Sequence, residues 1–383
     1  MKTSLIALAF GTFALGIAEF GMMGILADVA DGIGVGIVEA GHLISSYSIG
    51  VAIGAPMLIF LRKLPLKQLM LLLTATIFLG NLAAALAPSY PTLLCARFIS
   101  GLPHGAYFGA GAIVCSRIAD KGHGAQAVAV MVGGMTIANL AGVPMATWIG
   151  DTFNWRVAFA IVALFGVTTL LSIKTWMPWL SPLPDTGMKG QFRFLRARAP
   201  WLIYAGVFFG QASVYCWLSY INPIMTEVTR FSTADMTWIM MLAGLGMVVG
   251  NATAGKLADR HPATLVTAIL CLILLEVMPA IYLCAEMKLP SIILMFIATG
   301  CLFGIGGPLQ YLIVQYAKGG EMLGGAGIQI AFNVSNAMSA ALGGMAIHHG
   351  LGLASPALVG LPFAAIGAAA LLLLYKSSRI PAT

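Results

Sequence analysis

Long apolar stretches follow one another along the whole chain and are separated by short polar intervals. An α-helix needs about 20 mostly apolar residues to cross a bilayer. The predicted spans are residues 4–26, 38–60, 67–87, 91–116, 124–149, 156–177, 200–226, 233–256, 263–285, 290–316, 322–347 and 354–375. The pattern therefore predicts an all-α membrane protein of twelve transmembrane helices.

Composition supports a bilayer as the solvent for most of this chain. Of its 383 residues, 60% are hydrophobic and 9% are charged, whereas soluble domains carry about 25% charged residues. The six cysteines all fall within apolar stretches and show no CxxC spacing. That arrangement favours small packing residues over a disulfide framework or a zinc site, and we expect neither a metal nor a cofactor.

The distribution of basic residues predicts how the helices are oriented. With the N-terminus inside, the inner segments hold sixteen Lys and Arg residues and the outer segments hold three. Cytoplasmic loops of membrane proteins carry such an excess. We therefore expect a bacterial inner-membrane protein with both termini in the cytoplasm. The net charge of +7 describes that face and does not indicate a nucleic-acid partner.

The chain also repeats itself in two halves. Residues 49–54 of the second span match residues 245–250 of the eighth, with glycines at the same two positions. A polar interval rich in Pro and Arg separates six spans from six. We predict a six-helix half at 1–177, a cytoplasmic linker at 178–199 and a second six-helix half at 200–383. Internal repeats of this kind are a recurring architecture of secondary transporters.

Several short sequence motifs, taken in their order along the chain, resemble those of a known protein family. They are residues 255–260 (GKLADR), 97–106 (RFISGLPHGA) and 142–156 (GVPMATWIGDTFNWR), together with 19–26 (EFGMMGIL) and 54–56 (GAP). This series resembles the major facilitator superfamily. Within it, the first two helices resemble the drug:proton antiporter group, closest to the arabinose-inducible efflux permease type.

The resemblance implies a secondary active transporter rather than an enzyme. It would export a small sugar-like or amphipathic, drug-like molecule by alternating access in exchange for protons, as a monomer in the lipid bilayer. Gly255, Lys256, Asp259 and Arg260 would form a cytoplasmic latch. Uptake by proton symport is the alternative, since one fold serves both directions. A membrane receptor that does not transport is a further alternative.

Three strongly ionisable side chains lie well inside the spans: Glu19, Arg97 and Glu276. A charge in hydrocarbon is costly, so each is a functional hypothesis. At about 1.5 Å per residue, Glu19 lies about 21 Å from the inner end of its span and Arg97 about 9 Å from the outer end of its own. These depths agree in a core about 30 Å thick. We predict Glu19 and Arg97 as the proton-coupling pair, with a structural ion pair as the alternative, and an interfacial role for Glu276.

Uncharged polar residues in the spans predict a cavity for the substrate. On the seventh span, Gln211, Tyr215 and Asn222 share one polar stripe at helical spacing. The full predicted set is His104, Asn139, Gln211, Tyr215, Asn222, Asn333 and Asn336. Amides and phenols offer hydrogen bonds without a fixed charge, which suits a neutral substrate. For any single member, an ordinary hydrogen bond between helices is the alternative.

Two other classes of protein fit the sequence poorly. Residues 250–256 read G-x-x-x-x-G-K, but Leu257 replaces the Ser or Thr that binds magnesium in a nucleotide-binding loop, and no strand precedes the segment. The sequence contains neither G-x-S-x-G nor H-E-x-x-H. We therefore expect neither an ATP-driven pump nor a membrane-embedded enzyme.

Overall fold

A computed structural model describes residues 2–184 and 187–379. The long helices are α1 (Lys2–Gly24), α2 (Ile37–Leu61), α3 (Leu66–Leu86), α4 (Tyr90–Ile118), α5 (Gly124–Ile137, continued by a π-helical turn, Ala138–Gly142, and by Val143–Thr152), α6 (Trp155–Trp176), α7 (Arg198–Leu218), α8 (Met236–Arg260), α9 (Ala263–Leu283), α10 (Lys288–Tyr316), α11 (Glu321–His348) and α12 (Pro356–Arg379). These residues contain no strand. The fold is the predicted all-α membrane architecture of twelve helices.

Short elements join the long helices. They are the helices Leu26–Ile33, Gly187–Gln191 and Ile221–Pro223, the 3-10 turns Arg193–Arg196 and Thr233–Asp235, and the π-helical turn Ile224–Val228. Eleven of the long helices within the described ranges are long and apolar enough to cross a membrane. The remaining predicted span coincides with the 25-residue helix α2.

The structure corrects the predicted end of the seventh span. Helix α7 ends at Leu218, whereas the prediction continued to residue 226. Pro223 lacks a backbone N–H and restricts the residue before it, and a separate short helix forms there. Part of the predicted linker is also helical, because α7 already begins at Arg198. Residues 185 and 186 of that linker lie outside the described residues.

The chain forms two compact units. The first comprises the described parts of Met1–Asp120, Val130–Phe194 and Ala317–Ile330, and the second those of Lys121–Ala129, Leu195–Tyr316 and Ala331–Thr383. Helix α5 therefore begins in the second unit, and α11 begins in the first. The sequence-based division at 1–177, 178–199 and 200–383 stays a prediction.

Glycines allow two pairs of helices to pack backbone to backbone. In the first unit, a side chain at Gly54 of α2 would collide with the backbone of Leu102 in α4. In the second unit, a side chain at Gly250 of α8 would collide with the backbone of Gly300 in α10. Association in a membrane lacks a hydrophobic driving force between helices, so close backbone packing is a main source of stability.

Replacement of Gly54 by alanine should therefore destabilise the protein by about 1–3 kcal/mol, the usual range for forced overpacking. Gly41→Ala is the matched control, because it lies on the same helix and nothing lies within 4 Å of its added methyl group. Both changes alter helix propensity equally. Thermal unfolding of the purified protein in detergent measures the difference, and equal melting temperatures for the two variants would contradict this packing.

Candidate functional site

A buried polar cluster joins α1, α2 and α4 within the first unit. The Oε2 atom of Glu19 lies 3.8 Å from Nε2 of His104. On its other side, the His104 ring has its Nδ1 atom 2.9 Å from the hydroxyl of Tyr47. Glu19 is 7% exposed, Tyr47 is 1% exposed and His104 is fully buried. The histidine thus stands between the carboxylate and the phenol.

Arg97 lies beside this cluster and is fully buried. Its Nη1 atom donates a hydrogen bond to the carbonyl oxygen of Ala18, at 2.8 Å. Its guanidinium carbon lies 4.5 Å from the centre of the Tyr47 ring and 5.6 Å from that of Phe159. Arg97 is also close enough to Glu19 to act on it electrostatically. A backbone carbonyl and two aromatic rings hold the Arg97 side chain. The contact of 3.8 Å with the carboxylate of Glu19 is made by His104.

Several polar atoms of this cluster lack a hydrogen-bond partner within the described part of the chain. They are Oε2 of Glu19, Nε and Nη2 of Arg97, and Nε2 of His104. A buried polar atom without a partner costs about 1–3 kcal/mol, and native proteins leave few of them. These four atoms are therefore the positions at which a proton, a water molecule or a ligand would interact with the cluster.

Two members of the cluster were not predicted from the sequence. Tyr47 contacts both His104 and Arg97. Gln329 of α11, which is 8% exposed, interacts with His104. A polar residue near the middle of an apolar span was the available signal in both cases. Neither residue is strongly ionisable, so a search for charges in the spans passes over both.

The second unit contains a separate group of predicted polar residues on α7 and α11. Tyr215 is 6% exposed and its ring packs edge-on against Phe332, with ring centres 5.6 Å apart. Gln211, one turn earlier on α7, is 3% exposed, and its Oε1 atom has no partner within the described residues. Asn333 and Asn336 follow Phe332 on α11 and are half-buried. The structure thus brings α7 and α11 together at this polar stretch.

The other predicted polar residues lie elsewhere. Asn139 is half-buried in the π-helical turn of α5. Asn222 is exposed in the short helix after α7, because α7 ends before reaching it. No hydrogen bond among the described residues joins either side chain to the remaining members of the predicted set. Glu276 is exposed on α9, in the second unit.

The predicted latch residues lie at the end of α8, in the second unit. The carboxylate of Asp259 accepts hydrogen bonds from the backbone N–H groups of Ala125 (2.9 Å) and Gln126 (3.1 Å), at the start of α5. Gly255 allows close approach, since a Cβ there would lie 2.5 Å from Cβ of Ala129. An anionic side chain at a helix N-terminus is favourable because unpaired N–H groups and the helix dipole meet there.

The basic members of that motif behave differently. Lys256 and Arg260 are exposed, and the described contacts of the motif are made by Asp259 and Gly255. Asn251, two turns before Asp259, adds a hydrogen bond from Nδ2 to the carbonyl of Ala129, at 2.7 Å. The geometry is that of a helix cap, in which a carboxylate satisfies backbone donors.

The comparison with protein families identifies the class of protein. Residues 8–317 match the Major Facilitator Superfamily, which covers more than half of the chain. The chain therefore belongs to the Major Facilitator Superfamily. It is a multi-pass membrane transporter and not an enzyme.

Individual relatives extend along the whole chain. The protein named "Putative transporter AraJ" from Escherichia coli (strain K12) is 43% identical, with 99% of this chain and 97% of that protein covered. The "Probable sugar efflux transporter" of Mannheimia succiniciproducens is 25% identical (98% and 95% covered). The "Chloramphenicol resistance protein" of Streptomyces lividans is 24% identical (93% and 92% covered).

Solved structures share the fold. The Escherichia coli fucose:proton symporter FucP superposes with a TM-score of 0.77, at 15% identity, with 97% of this chain and 98% of FucP covered. The proton:xylose symporter XylE gives a TM-score of 0.76, at 13% identity, with 98% and 95% covered. At these identities the likeness establishes the fold alone.

The Asp259 cap yields a testable expectation. Asp259→Ala removes the acceptor for two N–H groups at the start of α5 and should cost about 0.5–2 kcal/mol, as the loss of a capping residue does. Hydrogen–deuterium exchange should accelerate at Ala125 and Gln126. Glu286→Ala, which removes an exposed acidic side chain, is the control. Unchanged exchange at those two amides in Asp259→Ala would show that the carboxylate does not cap this helix.

Proposed function

We propose that this protein exports a small neutral molecule from the bacterial cytoplasm in exchange for protons. It would lie in the inner membrane with both termini in the cytoplasm, as the basic residues of the inner segments suggest. The observation that carries the proposal is the buried Glu19, whose Oε2 atom has no hydrogen-bond partner among the described residues and which is near both Arg97 and His104.

Proton coupling needs a group whose proton affinity changes between two conformations. Burial of Glu19 penalises its charged form, whereas the positive charge of Arg97 favours it. These two effects oppose each other, so a small movement of α1 against α4 changes which of them dominates. Arg97 is anchored on the carbonyl of Ala18, next to Glu19 in α1. Movement of α1 relative to α4 would therefore alter this contact directly.

His104 extends the proposed proton site. Its ring lies between Glu19 and Tyr47 and also interacts with Gln329. A histidine ring has two nitrogens that serve as donor or acceptor according to its tautomer. We therefore assign His104 to the orientation of Glu19, in addition to the substrate contact expected from the sequence.

The proposed substrate is neutral and carries hydroxyl or amide groups. The polar stretch of α7 and α11 offers the amide of Gln211, the phenol of Tyr215 and the amides of Asn333 and Asn336, all without charge. Gln211 keeps a buried acceptor atom for such a ligand. Relatives named as a sugar efflux transporter and a chloramphenicol resistance protein are consistent with a sugar-like or amphipathic substrate. Their names also support export as the direction.

Glu19→Gln should abolish coupling to protons, because an amide cannot take up and release the proton. The measurement uses inverted membrane vesicles with an imposed pH gradient and a panel of neutral sugars and chloramphenicol. Substrate accumulation in the vesicles is followed together with the loss of the gradient. Wild-type vesicles should accumulate at least one compound, and Glu19→Gln vesicles should fall to the rate of vesicles without the protein.

Glu276→Gln is the matched control, since the same chemical change occurs at an exposed position of α9. It should retain wild-type accumulation. Wild-type coupling in Glu19→Gln would refute the role of Glu19. Accumulation in right-side-out vesicles under an inward proton gradient, and not in inverted vesicles, would establish uptake by symport and refute export.

A further inference from the structure

The segment that follows α6 is tied to the inner ends of two other helices of the first unit. Residues 177–181, here called the strap, offer their carbonyl oxygens to three donors. Nζ of Lys67 reaches the carbonyl of Met177 at 2.6 Å, and Nη1 of Arg117 reaches that of Ser181 at 2.7 Å. The backbone N–H of Leu66 bonds to the carbonyl of Leu180 at 3.1 Å. The strap is therefore fixed across the start of α3 and the end of α4.

The strap places aromatic rings on the exterior. Trp179 is 63% exposed and Trp176, at the end of α6, is 42% exposed. The carbonyl of Trp176 accepts a hydrogen bond from Ser4, so its backbone is also held. Tryptophan is enriched at the boundary between hydrocarbon and water, where its ring lies at the level of the lipid headgroups. Two exposed indoles on a fixed segment indicate such a boundary position.

Two cations bind the strap, and a third precedes it in the chain. Lys67 and Arg117 use one donor each for the strap, and an ammonium and a guanidinium have three and five donors in total. Lys174, less than one turn before Trp176, is exposed. Residues 59–70 and 171–184 contain no Asp or Glu; in sequence, Asp120 lies three residues after Arg117 and Asp185 lies four residues after Ser181. Four residues of extended chain span at most about 14 Å, so the carbonyls that hold Lys67 and Arg117 lie no farther apart than that.

We propose that the strap, together with Lys67, Arg117 and Lys174, forms a binding site for the phosphate group of an anionic phospholipid. The cations would contact the phosphate, and Trp176 and Trp179 would lie among the headgroups beside it. Basic clusters immediately next to a membrane helix bind anionic lipids in this way. The site is independent of the proposed transport cycle, since it uses none of the residues assigned to protons or substrate.

The favoured occupant is a lipid and not a soluble anion, because the exposed indoles give the site an apolar part. Inorganic phosphate has no group that would contact an indole. A soluble acidic protein or nucleic acid would require the same cations to face the aqueous phase rather than the headgroups. These alternatives are outcomes of the test below.

The test measures lipid adducts by native mass spectrometry on the purified full-length protein. Phosphatidylglycerol and phosphatidylcholine are titrated separately into wild type and into the double variant Arg117→Gln/Lys174→Gln. Wild type should bind phosphatidylglycerol more tightly than phosphatidylcholine. The double variant should lose affinity for phosphatidylglycerol by about thirtyfold, since each cation near an anionic lipid contributes roughly a factor of five.

Lys318→Gln/Lys376→Gln is the matched control, as it removes two exposed cations from other inner segments and should bind like wild type. Trp179→Ala keeps every charge and should weaken binding of both lipids. If Arg117→Gln/Lys174→Gln melts early, Trp179→Ala and Lys174→Gln alone still test the site. Equal loss in both double variants, equal binding of the two lipids by wild type, or displacement of the lipid by millimolar inorganic phosphate would each overturn the proposal.

Discussion

A bilayer core contains no water to satisfy backbone N–H and C=O groups, and the rest of this structure follows from that constraint. Each span must pair its own backbone groups, so the chain crosses as helices. Helices in lipid gain little from apolar contact, and they approach instead through glycine, as at Gly54 against Leu102 and at Gly250 against Gly300. Because hydrogen-bond partners are equally scarce for side chains, each polar side chain inside the membrane is costly and needs an explanation.

The first unit concentrates such side chains in one place. Within the described residues, Glu19, Arg97 and His104 leave several buried atoms without hydrogen bonds, although a backbone carbonyl and aromatic groups hold Arg97 and His104 in position. A purely structural ion pair would satisfy these atoms. The arrangement instead keeps Arg97 on the carbonyl of Ala18, which leaves the carboxylate of Glu19 available for the proposed proton exchange.

In the second unit, the main polar contact concerns the unpaired N–H groups at the N-terminus of a helix. Asp259 satisfies two N–H groups at the start of α5, while the corresponding position of the first-half loop holds Lys63. The repeat is therefore unequal at this point. In the first unit, Lys67 at the start of α3 and Arg117 at the end of α4 bind the carbonyls of the strap instead. An acidic side chain accepts hydrogen bonds from backbone N–H groups in the second unit, and basic side chains donate hydrogen bonds to backbone carbonyls in the first.

Hydropathy determined the number of helices, and the order of short motifs along the chain determined the family. Glu19 and Arg97 were recognised as unusual residues because the cost of a charge in lipid can be judged from one helix. Helix ends were less predictable: Asn222 was placed on α7, but the chain leaves the helix before it. The side-chain contacts between helices were determined only by the tertiary structure. That His104 lies between Glu19 and Tyr47, and that Gln329 joins them from a distant part of the chain, depends on which faces of the helices pack together. Hydrophobic periodicity along one helix contains no information about its neighbour.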